Sequence, residues 1–122
     1  MTIVTALDLR DDPAVVPVIA MAPMYPVVDY SNDLPSMTQF SEGYLLTAAD
    51  MKWFGRNYGC KGGEPRHHVI DRDLSGLPPT ILMTASLDPL HDQGVLFVDV
   101  LKAFDVPVHH YEAEGLIHGF IT

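Results

Sequence analysis

One stretch limits what this chain can fold into: DLSGLPPTILMTASLDPLHDQG, residues 73–94. Ser75–Gly76 and Pro78–Pro79 interrupt whatever precedes them, as paired turn formers do. Ile81, Leu82, Met83, Thr84 and Ala85 form a short apolar run, the pattern of a strand covered on both faces. Asp88–Pro89–Leu90 follows at the end of that run, where open parallel sheets place the side chains that handle ligands. Asp92 then precedes an amphipathic pattern of Val95, Leu96, Val98 and Leu101, with Lys102 near its end. The spacing predicts a helix over 92–104 capped by Asp92.

The rest of the chain continues the alternation of strand and helix that marks a parallel α/β sheet. Ile3, Val4 and Leu7 give a helical stripe that begins without a capping residue and leaves through Asp8, Arg10, Asp11 and Asp12 before Pro13. Residues 15–24 (VVPVIAMAPM) read as a buried strand, with Pro17 tolerable near its start and Tyr25–Pro26 ending it. Residues 31–43 are polar and irregular. Thr47 reads as an N-cap with Asp50 three residues on, and Gly59 as the stop of that helix. Leu45, Leu46, Met51, Trp53, Phe54 and Tyr58 are expected to pack as core around it. Val108 to Tyr111 read as a last short strand, on which His109 and His110 alternate faces.

With 122 residues the chain suits one domain, and 48% hydrophobic against 19% charged residues is a globular balance. A net charge of −9 argues against nucleic acid and anionic membrane surfaces as partners. Cys60 is the only cysteine, which rules out an intramolecular disulfide. The apolar runs are too short and too broken by Pro and charge for a signal peptide or a membrane span, so a cytoplasmic chain is expected. His67–His68, beside Gly62–Gly63 and Pro65, read as a solvated loop, since adjacent histidines diverge on any regular element.

The 73–94 stretch, followed by GLIHGF at 115–120, resembles the C-terminal half of α/β-hydrolases of the bacterial hormone-sensitive-lipase-like group, the short-chain carboxylesterases. MYPVVDY at 24–30 and MKWFGRNYG at 51–59 look like segments of the same family, so the resemblance covers nearly the whole chain. It implies a partial α/β-hydrolase fold, with about three parallel strands and flanking helices, in which residues 1–122 are the C-terminal portion of the domain. It also implies that Asp88 orients the catalytic histidine and that His118 is the general base. The family's upstream G-x-S-x-G nucleophile elbow and H-G-G-G oxyanion loop are absent from these residues. The first helix looks like the one that follows the elbow, which puts the nucleophilic serine upstream of Met1. The chain's end, two residues after Phe120, leaves no room for the family's usual closing helix. No cofactor and no metal are implied.

The chemistry fits that order. A serine hydroxyl needs a positioned base to become a nucleophile, and a carboxylate on the far imidazole nitrogen fixes the tautomer. Asp88 before His118 matches the Ser…Asp…His order of this fold. Gly115 and Gly119 flank the histidine and free the backbone to swing it over the strand ends. Ser31, Ser36, Ser41, Ser75 and Ser86 are the other hydroxyls weighed as replacements, and none lies in a Gly-x-Ser-x-Gly turn. A metal reading would combine Asp88, His91, Asp92 and His118.

Two functions follow from these readings. The first is an ester-hydrolase portion that carries acid and base and, once complemented, acts on short acyl esters. The second is a non-catalytic module that docks its missing half or its own copy through the open edge of the 15–24 strand.

Overall fold

The structure is a computed structural model and describes residues 1–30, 34–59 and 67–121. Helix α1 spans Thr2–Asp11, α2 Pro35–Gln39 and α3 Ala48–Tyr58. A short 3-10 turn, Val69–Asp71, leads to strand β1 at Thr80–Leu87, helix α4 at His91–Ala103 and strand β2 at Val108–Ile117. Strands β1 and β2 pair in parallel, from Thr80 opposite Val108 to Ala85 opposite Ala113, with α4 as the crossover.

Residues 15–24 do not form the expected third strand. They reach β1 only through two isolated parallel bridges, Met21 to Thr80 and Met24 to Met83. The physical reason is proline: positions 17, 23 and 26 have no N–H to donate, so the ladder keeps only part of its bonds. The bonds that remain are Met21 N to Pro79 O, Ile81 N to Met21 O, Met83 N to Pro23 O and Tyr25 N to Met83 O, at 2.7–3.1 Å. Nor is the run buried, since Val15, Val16 and Ile19 are 102%, 76% and 79% exposed. Alternation of strand and helix therefore holds from β1 onward, while helices dominate before it.

The helices follow from local chemistry. Thr47 and Asp50 close a full capping box, and Gly59, at φ 83°, supplies the left-handed stop of α3. Helix α1 begins without a side-chain cap, as its sequence implies. Its far end is tied down by Arg10, whose Nη1 donates to the carbonyls of Asp73 and Ser75 at 2.8 Å. The short α2 lies within a segment that reads as irregular, with Pro35 in its first turn. Strand β2 runs six residues beyond Tyr111, the end expected from sequence.

One core joins α1 (Ile3, Leu7), β1 (Leu82) and α4 (Phe97, Val98, Leu101) with Val28, Leu74 and Val106. Leu7, Leu82, Phe97 and Leu101 are fully buried, and each such side chain stabilises the fold by about 1.5–3 kcal/mol through burial alone. Helix α4 approaches β1 closely at Gly94, where a Cβ would sit 2.6 Å from Thr84 Cγ2. A second cluster of Met37, Leu46, Met51 and Leu90 packs α2 and the start of α3 beside the β1–α4 turn.

The aromatic set expected as core is not core. Met51 and Leu46 are buried, but Leu45, Trp53, Phe54 and Tyr58 are exposed, because the amphipathic face of α3 is narrower than its composition suggests. The solvated-loop reading of His67–His68 also fails where the chain is described; residues 60–66 lie outside the described residues. His67 is buried between Tyr30 and Tyr58, and His68 Nδ1 lies 2.7 Å from Asp29 Oδ1. An antiparallel bridge between Asp29 and His68 draws this segment inward. Among the described residues no helix is long and apolar enough to cross a membrane.

Candidate active site

The site forms where β1 and β2 end side by side. Between Ala85 opposite Ala113 and Leu87 opposite Ile117, β2 carries two more residues than β1. Gly115 sits in this bulge at φ 72°, a conformation that side chains rarely adopt. Its amide donates to Ser86 Oγ at 2.8 Å, which locks the bulge to β1. The bulge re-aims the end of β2 so that His118 comes over the end of β1.

There it meets Asp88. His118 Nδ1 lies 2.8 Å from Asp88 Oδ2, and the Asp88 carboxylate is fully buried. The other oxygen, Oδ1, accepts the Leu90 amide at 2.8 Å. A buried carboxylate is costly unless its lone pairs are satisfied, and here both oxygens have donors. Because Asp88 is an acceptor toward Nδ1, the imidazole carries its proton there and leaves Nε2 as the basic nitrogen.

Tyr25 packs against the imidazole, with ring centroids 4.4 Å apart, and its ring also contacts Phe120 at 5.6 Å. Its backbone has φ 36°, a left-handed conformation in a non-glycine residue directly before Pro26. Strain of this kind persists only where the surroundings hold it, and it concentrates at functional sites.

His118 lines a cavity of about 630 Å³. Its walls include Met24, Val27, Leu46, Met51, Phe54 and Leu90, with Asn57, Tyr30 and Tyr58 as polar groups. Phe54, Asn57 and Tyr58 come from α3, so two of the exposed aromatic residues of that helix line this cavity. The wall is apolar with a few hydroxyl and amide groups, the usual make-up of a small-molecule site.

The other weighed residues have different partners. His91 Nδ1 lies 2.9 Å from Asp92 Oδ1, and its Nε2 lies 3.3 Å from Glu112 Oε2 on β2. Partial burial works against the imidazolium, but the two carboxylates outweigh it and hold the His91 pKa above the ordinary 6.5. Asp92 is held below the ordinary carboxylate value: burial opposes this, and His91 together with the Ser36 amide and hydroxyl overcomes it. Burial lowers the pKa of His110, which pairs with Thr84 Oγ1 at 2.9 Å, whereas His109 is exposed. Among the described residues no three His, Cys, Asp or Glu side chains are grouped to hold a metal ion.

Asp92 does not cap its own helix. Helix α4 has Leu90 at its N-cap with no side-chain cap, and Asp92 Oδ2 instead accepts the Ser36 amide at the start of α2, at 2.9 Å. Ser36 is buried, and its hydroxyl donates to Pro89 O at 2.8 Å. Gln93 is also buried, and its Oε1 accepts the amides of Val28 and Asp29 at 2.8 and 3.2 Å. Sequence reasoning weighs Ser36 only as a replacement nucleophile, reads Tyr25 as the end of a strand and passes over Gln93; the crowding of polar residues directly after Asp88 is the one signal for Gln93. Among the described residues no serine hydroxyl is hydrogen-bonded to His118, and Ser86 and Ser36 are engaged elsewhere.

Comparison with known proteins identifies the fold this chain shares. The profile of the α/β-hydrolase fold matches residues 1–122. Lipase 2 of Moraxella sp. (strain TA144) is 36% identical over 108 residues, which are 85% of this chain and 25% of that protein. Carboxylic ester hydrolase LipN of Mycobacterium tuberculosis is 33% identical over 104 residues, 81% of this chain and 28% of that protein. The solved hyperthermophilic esterase of the archaeon Pyrobaculum calidifontis superposes with a TM-score of 0.89 at 36% identity, over 98% of this chain and 41% of that one. A thermostable esterase from Pseudomonas putida gives 0.89 at 30% identity, over 96% and 38%. The chain thus spans roughly a quarter to two fifths of the length of these proteins.

Proposed function

The chain belongs to the α/β-hydrolase-fold family, and from that premise we propose that it carries the acid and the base of a serine ester hydrolase. The observation that supports this most directly is the 2.8 Å contact between His118 Nδ1 and a fully buried Asp88, beside an apolar cavity. In this reading Asp88 fixes the tautomer, and His118 Nε2 takes the proton of a serine hydroxyl as that oxygen attacks the ester carbonyl. The same nitrogen then returns the proton to the departing alcohol. A water molecule activated in the same way releases the acid from the acyl-enzyme.

The nucleophilic serine and the oxyanion donors are assigned to a polypeptide portion other than residues 1–122, since no G-x-S-x-G turn occurs in the sequence. Among the described residues the cavity wall holds no Asp, Glu, Lys or Arg side chain, which favours an uncharged ester. Neither a metal nor an organic cofactor enters the reaction as proposed.

Joining the chain to the nucleophile-bearing half of a related esterase tests this reading. The joined protein is expected to hydrolyse p-nitrophenyl acetate and butyrate, and His118→Ala to abolish the activity. Full activity in that variant would refute the assignment. On its own the chain is expected to remain unlabelled by a fluorophosphonate, as judged by intact mass.

A second reading has its own observation. Val15, Val16 and Ile19 are exposed beside a segment that uses only one edge in bonding β1. A non-catalytic module that docks a complementary portion or a second copy along this edge fits that exposure. Association that persists, with no activity, in the joined protein would favour it.

A further inference from the structure

Two helices that lack side-chain caps of their own start next to each other beside the proposed acid. Helix α2 has Leu34 at its N-cap and α4 has Leu90, and neither side chain bonds the first turn. Each helix is capped by a residue of the other instead. Asp92 Oδ2 accepts the Ser36 amide at 2.9 Å, and Ser36 Oγ accepts the Asp92 amide at 3.2 Å. The same Ser36 hydroxyl donates its proton to Pro89 O at 2.8 Å. Ser36 is 1% exposed, so water does not compete for these bonds.

Pro89 is the residue between Asp88 and Leu90, whose amide is the donor to Asp88 Oδ1. Any rotation of the Pro89 carbonyl therefore rotates the Leu90 amide as well, because the two belong to one peptide plane. That amide holds one carboxylate oxygen of Asp88 while the other meets His118.

We propose that Ser36 and Asp92 are positioning residues: their reciprocal capping fixes the Pro89–Leu90 peptide and so sets the orientation of the Asp88 carboxylate toward His118. This rests on the reading of Asp88 and His118 as acid and base. It assigns to α2, remote in sequence from both, a role in the alignment of the pair.

The test uses the 122-residue chain labelled with ¹⁵N-histidine and needs no catalytic activity. Wild type is expected to show a low-field Nδ1 proton on His118 and one tautomer in its two-bond H–N correlations. In Ser36→Ala that proton is expected to exchange with solvent about tenfold faster, the size of one lost net hydrogen bond, and the tautomers to mix. Asp92→Asn keeps the shape of its side chain and serves where Ser36→Ala does not fold; it is expected to shift the same signals in the same direction. Thr47→Ala, which removes a cap whose side-chain hydrogen bonds run only to Asp50, is the control. A comparable fall in Tm there is expected to leave His118 unchanged.

If Ser36→Ala and Asp92→Asn both keep the wild-type His118 signals, the positioning role is overturned while the acid–base pair stands. If wild type itself lacks the Nδ1 proton, the pair fails and the positioning role fails with it.

Discussion

The ring of Tyr25 lies against the imidazole of His118, with centroids 4.4 Å apart and planes inclined at 57°. The residue that makes this contact has φ 36° and precedes a proline, so the backbone is held in an unfavourable conformation to present the ring. Its amide is anchored to Met83 O at 2.7 Å, which fixes the ring relative to β1.

Substitution at Tyr25 separates the ring from the strain. Tyr25→Phe keeps the ring packing and is expected to stay within about 0.5 kcal/mol of wild type, since only the hydroxyl is lost. Tyr25→Ala loses the ring and keeps the strained φ, with an expected cost of about 1–2 kcal/mol. Urea denaturation of the two variants checks the difference, and equal stabilities would show that the ring contact contributes nothing.

Gln93 offers a cleaner measure of a buried polar bond. Gln93→Leu fills a similar volume but removes the acceptor of the Val28 and Asp29 amides. The expected loss is about 2–3 kcal/mol, set by the desolvation of the amides that lose this acceptor. Hydrogen exchange at the Val28 amide is expected to accelerate in the same variant, and protection as in wild type would contradict the account.

Gly94 marks a close approach of α4 to β1. In Gly94→Ala the new methyl would lie 2.6 Å from Thr84 Cγ2, on a β-branched side chain whose Oγ1 is tied to His110. Better helix propensity returns up to about 1 kcal/mol, while overpacking costs about 1–3 kcal/mol, so a net loss is expected. Adding Thr84→Ser removes the opposing methyl and is expected to recover part of the loss, a coupling that a double-mutant cycle by chemical denaturation measures.

The His91 cluster makes stability depend on pH. The folded pKa of His91 is raised, so its contribution is full below the ordinary 6.5 and is lost as pH rises through the raised value. The folded pKa of Asp92 is lowered, so its contribution is present above the ordinary 3.8 and is lost as pH falls through the lowered value. Together they stabilise most between those limits. The Tm difference between wild type and His91→Gln is expected to be largest below the ordinary value of 6.5, at about pH 5–6, and to shrink as pH rises through the raised value. A difference that stays constant across that range would argue against the bridge to Asp92 and Glu112.

Sequence alone determined what depends on neighbours along the chain. Thr47, Asp50 and Gly59 bound α3 by capping chemistry that acts within a few residues. The apolar run from Ile81 to Ala85 and the periodicity after Asp92 placed β1 and α4 to within a few residues. The family resemblance carried by the motifs around Asp88 and His118 named the pair that the structure brings to 2.8 Å.

Tertiary structure decided what depends on groups distant in the chain. An acidic residue before a helix reads as its cap, yet Asp92 caps α2, which lies 56 residues away. An aromatic cluster reads as core, yet Phe54 and Tyr58 line the cavity beside His118, because burial depends on what the rest of the fold sets against that face. A run rich in Val and Ile reads as a buried strand, yet residues 15–24 keep only two bridges, because strand pairing needs donors that proline lacks and a partner on each side. Local propensity and capping act within one or two turns and are legible in order. Burial, cross-capping and strand pairing are properties of surfaces that meet only when the chain has folded.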